Sequence, residues 1–426
     1  MKVMLITLPK EGQAKDFTTP SFYSSNPVRY ISLGVLAVAT SISANHDIRI
    51  LDADSWCTSI DDTVKKINEF APDVLGISAV TRKTFAMSEI LRRANVSVKA
   101  VGGPHVTHYA DEIIKLGADA VFRHDADRNF NEWLNSGCKK GVYEDYIKNI
   151  DSLPFIKREF PGFELKDYML SGEDTQKTLF KQKSLRRLTM MSSKGCPFRC
   201  VFCDVQDKEF RFLSPKRVVD EMEHLLSYGA NSIHILDDCF NTNRIRVIKV
   251  CEEIKNRGLK FQWSCRGRAV LDKATAEALK SAGCIRLHVG IESLNPEVLK
   301  WMNKKITIET TKEFCSICDE YDIEIVAYFV LGAPMETREY RDELPDMIHG
   351  LKIKYPFFNI LYPSANTKYY RELIANGTYK MDYWQAFAEK PVPNFEIPLP
   401  RAKELQDELE ETAERCIKIF FDRNST

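Results

Sequence analysis

Apolar and polar positions alternate between two rhythms over the first 135 or so residues. Short continuous apolar runs fall at residues 3–8, 48–51, 74–80, 96–101 and 118–122. Between them lie stretches with helical spacing: 31–43 (Leu33, Leu36, Ala37, Ile42), 60–70 (Ile60, Val64, Ile67), 87–94, and a segment through Phe130 and Trp133. Continuous apolar strands interleaved with amphipathic helices predict a parallel sheet covered on both faces. The same alternation returns after residue 187, with strand-like runs at 188–191, 232–236, 261–265, 286–291, 323–330 and 357–361. The chain is therefore read as α/β, with regions 1–140, 141–180 (a connector of mixed composition), 181–370, and a mostly helical tail at 371–426. In the tail, Leu405, Leu409, Cys416 and Phe420 form an apolar stripe at helical spacing. The aromatic residues Tyr379, Tyr383, Trp384 and Phe387 there are either packing or the lining of a substrate pocket.

Ligands of parallel α/β sheets bind at the carboxyl ends of the strands. Three such ends carry suitable groups: Asp52-Ala53-Asp54-Ser55-Trp56-Cys57, Ser78-Ala79-Val80-Thr81, and Gly102-Gly103-Pro104-His105-Val106-Thr107. The paired glycines either mark a tight turn or let a backbone approach a large ligand closely.

Composition narrows the field. The 426 residues are 44% hydrophobic, enough for two or three cores. Lys+Arg and Asp+Glu both total 60, which excludes a polyanion binder held by bulk positive charge. No apolar run approaches the roughly 18 residues of a membrane span, and the N-terminus has no signal-peptide pattern. A cytoplasmic protein with no nucleic-acid or membrane partner is expected. Twelve cysteines in such a chain point to metal or redox chemistry rather than disulfides, with most of them serving as small core hydrophobes.

The strongest chemical signal is Cys196-Pro197-Phe198-Arg199-Cys200-Val201-Phe202-Cys203, a C-x3-C-x2-C spacing just after the 188–191 run. Three thiolates on one loop can hold three irons of a cubane cluster and leave the fourth iron open. The competing reading is zinc, which normally takes four ligands, often as two CxxC pairs. A second pair exists, Cys315 and Cys318, but it lies in a helix-like run where core packing is expected.

The triplet resembles the signature of the radical SAM enzymes. That resemblance implies a partial (β/α)6 barrel over 181–370, a [4Fe–4S] cluster on Cys196, Cys200 and Cys203, and bound S-adenosylmethionine. It assigns Phe202, Asp237, Asp238, Arg268, Glu292 and Ser293 to S-adenosylmethionine: Asp237 and Asp238 near the amino group, Arg268 near the carboxylate, Glu292 and Ser293 near ribose and adenine. Leu331-Gly332-Ala333-Pro334-Met335-Glu336-Thr337 resembles the family's turn after the fifth strand. The N-terminal region resembles the Rossmann-like cobalamin-binding domain of cobalamin-dependent radical SAM enzymes, most like the C-methyltransferases. Asp54, Ser55, Trp56, Ser78, Thr81, Gly102, Gly103, His105 and Thr107 are then cobalamin contacts.

Two departures from that group stand out. Asp54 falls where many cobalamin proteins place the histidine of Asp-x-His-x-x-Gly, so base-off cobalamin without a histidine ligand is expected, with Trp56 shielding the lower face. Arg123-His124-Asp125-Ala126-Asp127 replaces a Gly-Glu-Gly-Glu segment. The resemblance implies a methyltransferase in which a 5′-deoxyadenosyl radical takes hydrogen from an unactivated carbon and methylcobalamin donates the methyl group. A cyclase, ring-rearranging or oxidising enzyme with the same cofactors is the second reading, and a non-catalytic cobalamin or iron–sulfur sensor the third. The partners implied are a flavodoxin- or ferredoxin-type electron donor and a small-molecule substrate rather than a peptide.

Overall fold

The structure, a computed structural model, describes residues 1–15, 32–169, 186–205, 207, 209–400 and 403–423. Parts of the expected connector (170–180) and barrel start (181–185) lie outside it, as do Ile31 and the side chains of Leu405 and Phe420. The chain divides into two compact units. One comprises residues 1–15, 32–168 and 374–398; the other comprises 169, 186–373 and 399–423.

The first unit is built on six parallel strands: β1 (Lys2–Thr7), β2 (Asp47–Asp52), β3 (Val74–Ser78), β4 (Val98–Gly102), β5 (Ala120–His124) and β6 (Gly141–Asp145), in the order β2-β1-β3-β4-β5-β6. β1 is buried from Val3 to Thr7 because helices cover both faces of the sheet. Its core joins Ile6, Leu75, Ile77, Val101 and Val121 from the strands to Ile67, Met87, Ile90 and Ile113 from the helices. Ser59 caps the helix Ile60–Phe70 by accepting from the Asp62 N–H. β6 lay within the expected connector. It is an edge strand with alternating partial exposure and no apolar run, and Tyr143 stacks on Phe122 at 5.3 Å. Edge strands need only one buried face, so periodicity hides them.

The strand order reverses direction at β1, and the ends of β1 and β3 flank that switch point. Just after β4, against the segment that follows β3, Gly103 has φ +97°, and a Cβ on it would sit 2.6 Å from the Ala79 carbonyl oxygen. The Ala79 N–H donates to the Gly102 carbonyl (2.8 Å) and the His105 N–H to the Ala79 carbonyl (3.2 Å). Glycine is thus required for backbone to approach backbone here.

Residues 374–398 pack with this unit. Gln385 donates to Glu112 (2.8 Å), and Lys15 pairs with Glu396 (2.6 Å). Trp384 and Phe387 are buried against each other and against Phe395, whose ring stacks on Phe387 at 4.4 Å. The helix Lys403–Arg423 belongs to the second unit, where Arg341 donates to Glu408 (2.8 Å).

The second unit is a curled sheet of six parallel strands: β7 (Arg187–Met190), β10 (Ser232–Ile235), β11 (Gln262–Arg268), β12 (Cys284–Glu292), β13 (Glu324–Leu331) and β14 (Tyr355–Ile360), in the order β14-β13-β12-β11-β10-β7. A short antiparallel pair, β8 (Ser193–Lys194) and β9 (Arg211–Phe212), brackets the cysteine loop. One sheet face is apolar and lies under helices: Leu188, Ile233, Trp263, Cys265, Leu287, Val289 and Phe329 are buried, and the Trp263 indole N–H donates to the Ala282 carbonyl (2.8 Å). The helix Ile308–Glu320 buries Cys315 and Cys318, as expected. Burial pushes the Cys315 and Cys416 thiols up to about 12 and Cys239 to about 11, so these remain inert. Among the described residues no helix is long and apolar enough to cross a membrane.

Gly103→Ala should destabilise the protein by about 2–4 kcal/mol, for a positive-φ clash with backbone, and lower its denaturant midpoint accordingly. A change within about 0.5 kcal/mol, as for an ordinary surface site, would contradict this account of the turn.

Candidate functional site

Each unit presents its own set of groups at the carboxyl ends of its strands. In the second unit the cysteine loop follows β7, and its anchorage begins with Asp237, just after β10. This carboxylate is fully buried. It accepts from the Ser192 N–H (2.6 Å), the Ser192 hydroxyl (2.6 Å) and the Ser193 N–H (3.0 Å). Arg246, also buried, donates to the Ser192 carbonyl and hydroxyl, both at 2.8 Å. Burial pushes the Asp237 carboxyl up, while the serine donors and the Arg246 guanidinium pull the other way. Asp237 therefore fixes the entry to the loop through Ser192 and Ser193.

The loop itself is held on three sides. At Gly195 (φ +82°) a Cβ would strike the carbonyls of Glu209 and Asp207, and the Cys196 N–H donates to Asp207 (3.0 Å). The Val201 N–H donates to the Met302 carbonyl (3.1 Å), and Asn303 donates to the Arg199 carbonyl (2.8 Å). The Arg268 guanidinium lies 3.8 Å over the Phe198 ring and donates to the Lys304 carbonyl. Cys196, Cys200 and Cys203 are in no disulfide, and each is half-buried. Burial, with Asp238 and Cys200 nearby, pushes the Cys196 thiol up. Among the described residues no three His, Cys, Asp or Glu side chains already stand in ligand geometry. The fit to an iron–sulfur cluster rests on the donor set: three soft thiols on one braced loop, with no fourth protein ligand gathered to close it.

The other expected S-adenosylmethionine residues line the same strand ends. Phe202 is half-buried and Asp238 exposed. Glu292 has φ +68° and pairs with Lys304 at 2.6 Å, both side chains buried. Gly290 makes room for that pair, since a Cβ there would collide with both charged ends. Ser293 is buried and shares a 3.0 Å hydrogen bond with the Tyr340 hydroxyl. In the turn after β13, Glu336 accepts from the Gly332 N–H (3.1 Å) and from Arg341 (3.2 Å).

In the first unit Asp52 ties the ends of β1 and β2: it accepts from the Thr7 hydroxyl (2.6 Å), the Ser55 N–H (3.2 Å) and the Tyr168 hydroxyl (2.8 Å). Asp54 pairs with Lys83 at 2.7 Å, and Lys83, itself buried, also donates to the Leu8 carbonyl (2.9 Å). Burial lowers the Lys83 ammonium, while Asp54 raises it. No residue-type signal marked Lys83 beforehand, because lysines are rarely buried. His105 is buried between two hydroxyls, Thr81 at 3.2 Å and Thr84 at 3.3 Å, with the Tyr109 ring tilted against it at 4.9 Å. It braces the turn from inside. Ser78, Thr81 and Thr107 are half-buried, and Gly102 and Gly103 reach the surface. Trp56 (46%) and Val80 (39%) are large apolar side chains left exposed at the ends of β2 and β3. Exposed apolar side chains beside hydroxyls and a glycine pair suit a corrin and its polar tail.

Residues 190–348 match the Radical SAM superfamily model and residues 26–132 the B12 binding domain model. An uncharacterized methyltransferase of Pyrococcus horikoshii is 29% identical over 410 residues, covering 91% of this chain and 86% of its own. An anaerobic magnesium-protoporphyrin IX monomethyl ester cyclase of Cereibacter sphaeroides is 25% identical, covering 70% of this chain but only 52% of its own length. The radical S-adenosylmethionine methyltransferase TsrM of Kitasatospora setae, solved with cobalamin and a [4Fe–4S] cluster, shares the fold. Its TM-score is 0.63 at 16% identity, over 88% of this chain and 78% of that one. The chain thus joins a B12-binding domain to a radical SAM domain and is a radical SAM enzyme. More particularly, it is homologous to the cobalamin-dependent radical SAM methyltransferases. The fold expected from the sequence, a Rossmann-like parallel sheet, a partial six-stranded barrel and a helical tail, is the fold observed.

Asp237→Asn should cost roughly 3 kcal/mol, typical of breaking a buried charged network, and should slow reductive cleavage of S-adenosylmethionine by loosening the loop. Unchanged stability and cleavage would contradict its anchoring role. A pH effect follows from His105. Burial, then His108, lowers its imidazole to about 3, whereas the unfolded chain takes up that proton near 6.5. The unfolded state binds more protons between those values, so stability falls as pH drops below 6.5, by up to about 1.4 kcal/mol per pH unit. Denaturant midpoints between pH 7 and 5 should fall less steeply for His105→Gln than for the parent. Equal slopes would show that His105 is not the group responsible.

Proposed function

We propose that the chain is a cobalamin-dependent C-methyltransferase acting at an unactivated carbon. The observation that carries this reading is the braced three-thiol loop at the carboxyl end of a curled parallel sheet, in one chain with a B12-binding domain. When bound, the cluster supplies the electron that splits S-adenosylmethionine, and cobalamin carries the methyl group. Cys196, Cys200 and Cys203 would hold the cluster, which would supply an open iron for S-adenosylmethionine. Asp238, exposed at the end of β10, receives the amino group, while Asp237 keeps the loop in register. Arg268 holds the loop through Phe198, with its positive charge beside Cys196. Glu292 and Ser293 position the nucleoside, and Phe202 packs beside it.

In the first unit Ser78, Thr81, Gly102, Gly103 and Thr107 face the cobalamin tail, with His105 acting through Thr81. Asp54, with Ser55 and Trp56, lies at the lower face. The pairing of Asp54 with Lys83 supports base-off cobalamin, because a carboxylate–ammonium pair stands where a histidine ligand would otherwise be. An electron donor of flavodoxin or ferredoxin type completes the cycle. Twelve cysteines, none in a disulfide, suit the reducing cytoplasm. A small molecule is the favoured substrate.

The cyclase of Cereibacter sphaeroides keeps a second reading in view, one without methyl transfer. Label separates the two. With S-adenosylmethionine carrying a labelled methyl group, the methyltransferase reading predicts label in the product together with 5′-deoxyadenosine; turnover that leaves the product unlabelled would favour the cyclase. Cys196→Ala should abolish 5′-deoxyadenosine formation, and a variant that still forms it would remove the cluster assignment.

A further inference from the structure

The second sheet face in the barrel unit is polar and concave. Neighbouring strands lie about 4.8 Å apart, so β10 and β12, which flank β11, stand about 10 Å apart. Yet the His234 and His288 rings, one from each, meet at 4.6 Å. They converge over Ser264 of β11, whose hydroxyl bonds the His234 Nδ1 at 2.7 Å. The sheet therefore curls toward this face. Register places Thr189, His234, Ser264 and Arg286 at one level, and Arg266 beside His288 at the next, nearer the carboxyl end. Side chains two apart on a strand share a face, so Arg266 stands between Ser264 and Arg268 on it. Tyr328 and Phe357 extend the same wall from β13 and β14, 5.7 Å apart.

This wall is rich in positive charge. Arg187, Arg266 and Arg286 all bear on the buried imidazoles of His234 and His288, which burial and those guanidiniums keep neutral. The wall's carboxylate, Glu324, is shared by Arg286 and Lys354. Glu292 is taken by Lys304, and Arg268 by the loop. Arg266 is exposed, with no hydrogen bond or ion pair among the described residues. Its guanidinium acts electrostatically on His234 and His288 below and on Asp238 at the rim. A planar fork of donors in a concave, cationic recess matches a carboxylate or phosphoryl group.

We infer that the concave wall of the barrel binds an oxyanion, a carboxylate or phosphoryl group, with Arg266 as its principal contact. It rests on the methyltransferase reading only in making that oxyanion part of the methyl acceptor. The substrate would then enter with its anionic end down the wall and its reacting carbon toward the cysteine loop.

Inorganic phosphate and acetate serve as probes on the full chain carrying its cluster and cobalamin, with phosphate binding read from 31P line widths and acetate as competitor. The expected result is saturable phosphate binding, relieved by acetate and weakened about ten-fold or more in Arg266→Gln, the loss of a charge-assisted bidentate contact. Arg266→Lys, which keeps the charge, should fall between the two and controls for folding. S-adenosylmethionine affinity, by equilibrium dialysis, should stay within about two-fold of the parent, since the contact is not to that ligand. Absence of saturable binding, equal binding in Arg266→Gln, or loss of S-adenosylmethionine in place of phosphate would each overturn the proposal. The last outcome would give Arg266 to the carboxylate of S-adenosylmethionine. If phosphate binds through Arg266 but methyl label never reaches product, the oxyanion site stands and the methyltransferase reading alone falls.

Discussion

The barrel unit depends on one buried carboxylate. Asp237 lies just after β10, yet its oxygens bond Ser192 and Ser193, just beyond β7, the neighbouring strand. Two backbone N–H groups that would otherwise be orphaned where the chain leaves the sheet are satisfied there. Arg246 then takes the Ser192 carbonyl, the acceptor in the same peptide neighbourhood. The cysteine loop starts from a point with no freedom, although the loop itself has no regular structure. Burial makes each bond costly to lose. The loop's other contacts, at Met302, Asn303 and Lys304, come from a segment that includes two residues of positive φ, Asn303 and Lys305.

The curl of the sheet assigns work to its two faces. Trp263, Cys265 and Leu287 fill the helix-covered face, so the alternate residues Ser264, Arg266 and His288 are left to the concave one. A small residue, Ser264, stands where rings from two strands must meet. Strand alternation thereby turns one continuous segment, Gln262–Arg268, into both a core wall and a polar wall. In the first unit, both faces are covered and chemistry is confined to the strand ends. That constraint explains why Asp52, Lys83 and His105 are all spent on bracing those ends.

Much of this was legible in the sequence, and the remainder was hidden for identifiable reasons. Apolar runs located eleven of the twelve strands in the two six-stranded sheets, because buried parallel strands are continuous apolar segments. β6 escaped because an edge strand has no such run. The cysteine spacing marked the loop directly. The roles of its neighbours were less visible: Asp237 reads as a ligand contact in sequence but spends both oxygens on the loop's entry, and His105 reads as a cobalamin contact but is buried between Thr81 and Thr84. Lys83, Lys304 and Arg266 carried no local signal. Their importance comes from the partner, or absence of partner, that long-range packing gives them. The tail was divided between the two units by contacts such as Gln385 to Glu112 and Arg341 to Glu408, which no periodicity encodes.

The central claim is that one chain holds both an iron–sulfur cluster and cobalamin. Metal content per chain after anaerobic expression with cobalamin present tests it most directly. The account predicts about four irons, for one cubane cluster, together with about one cobalt. Four irons without cobalt would contradict it: the radical chemistry would survive, but the first unit would be a different pocket and methyl transfer through cobalamin would be lost.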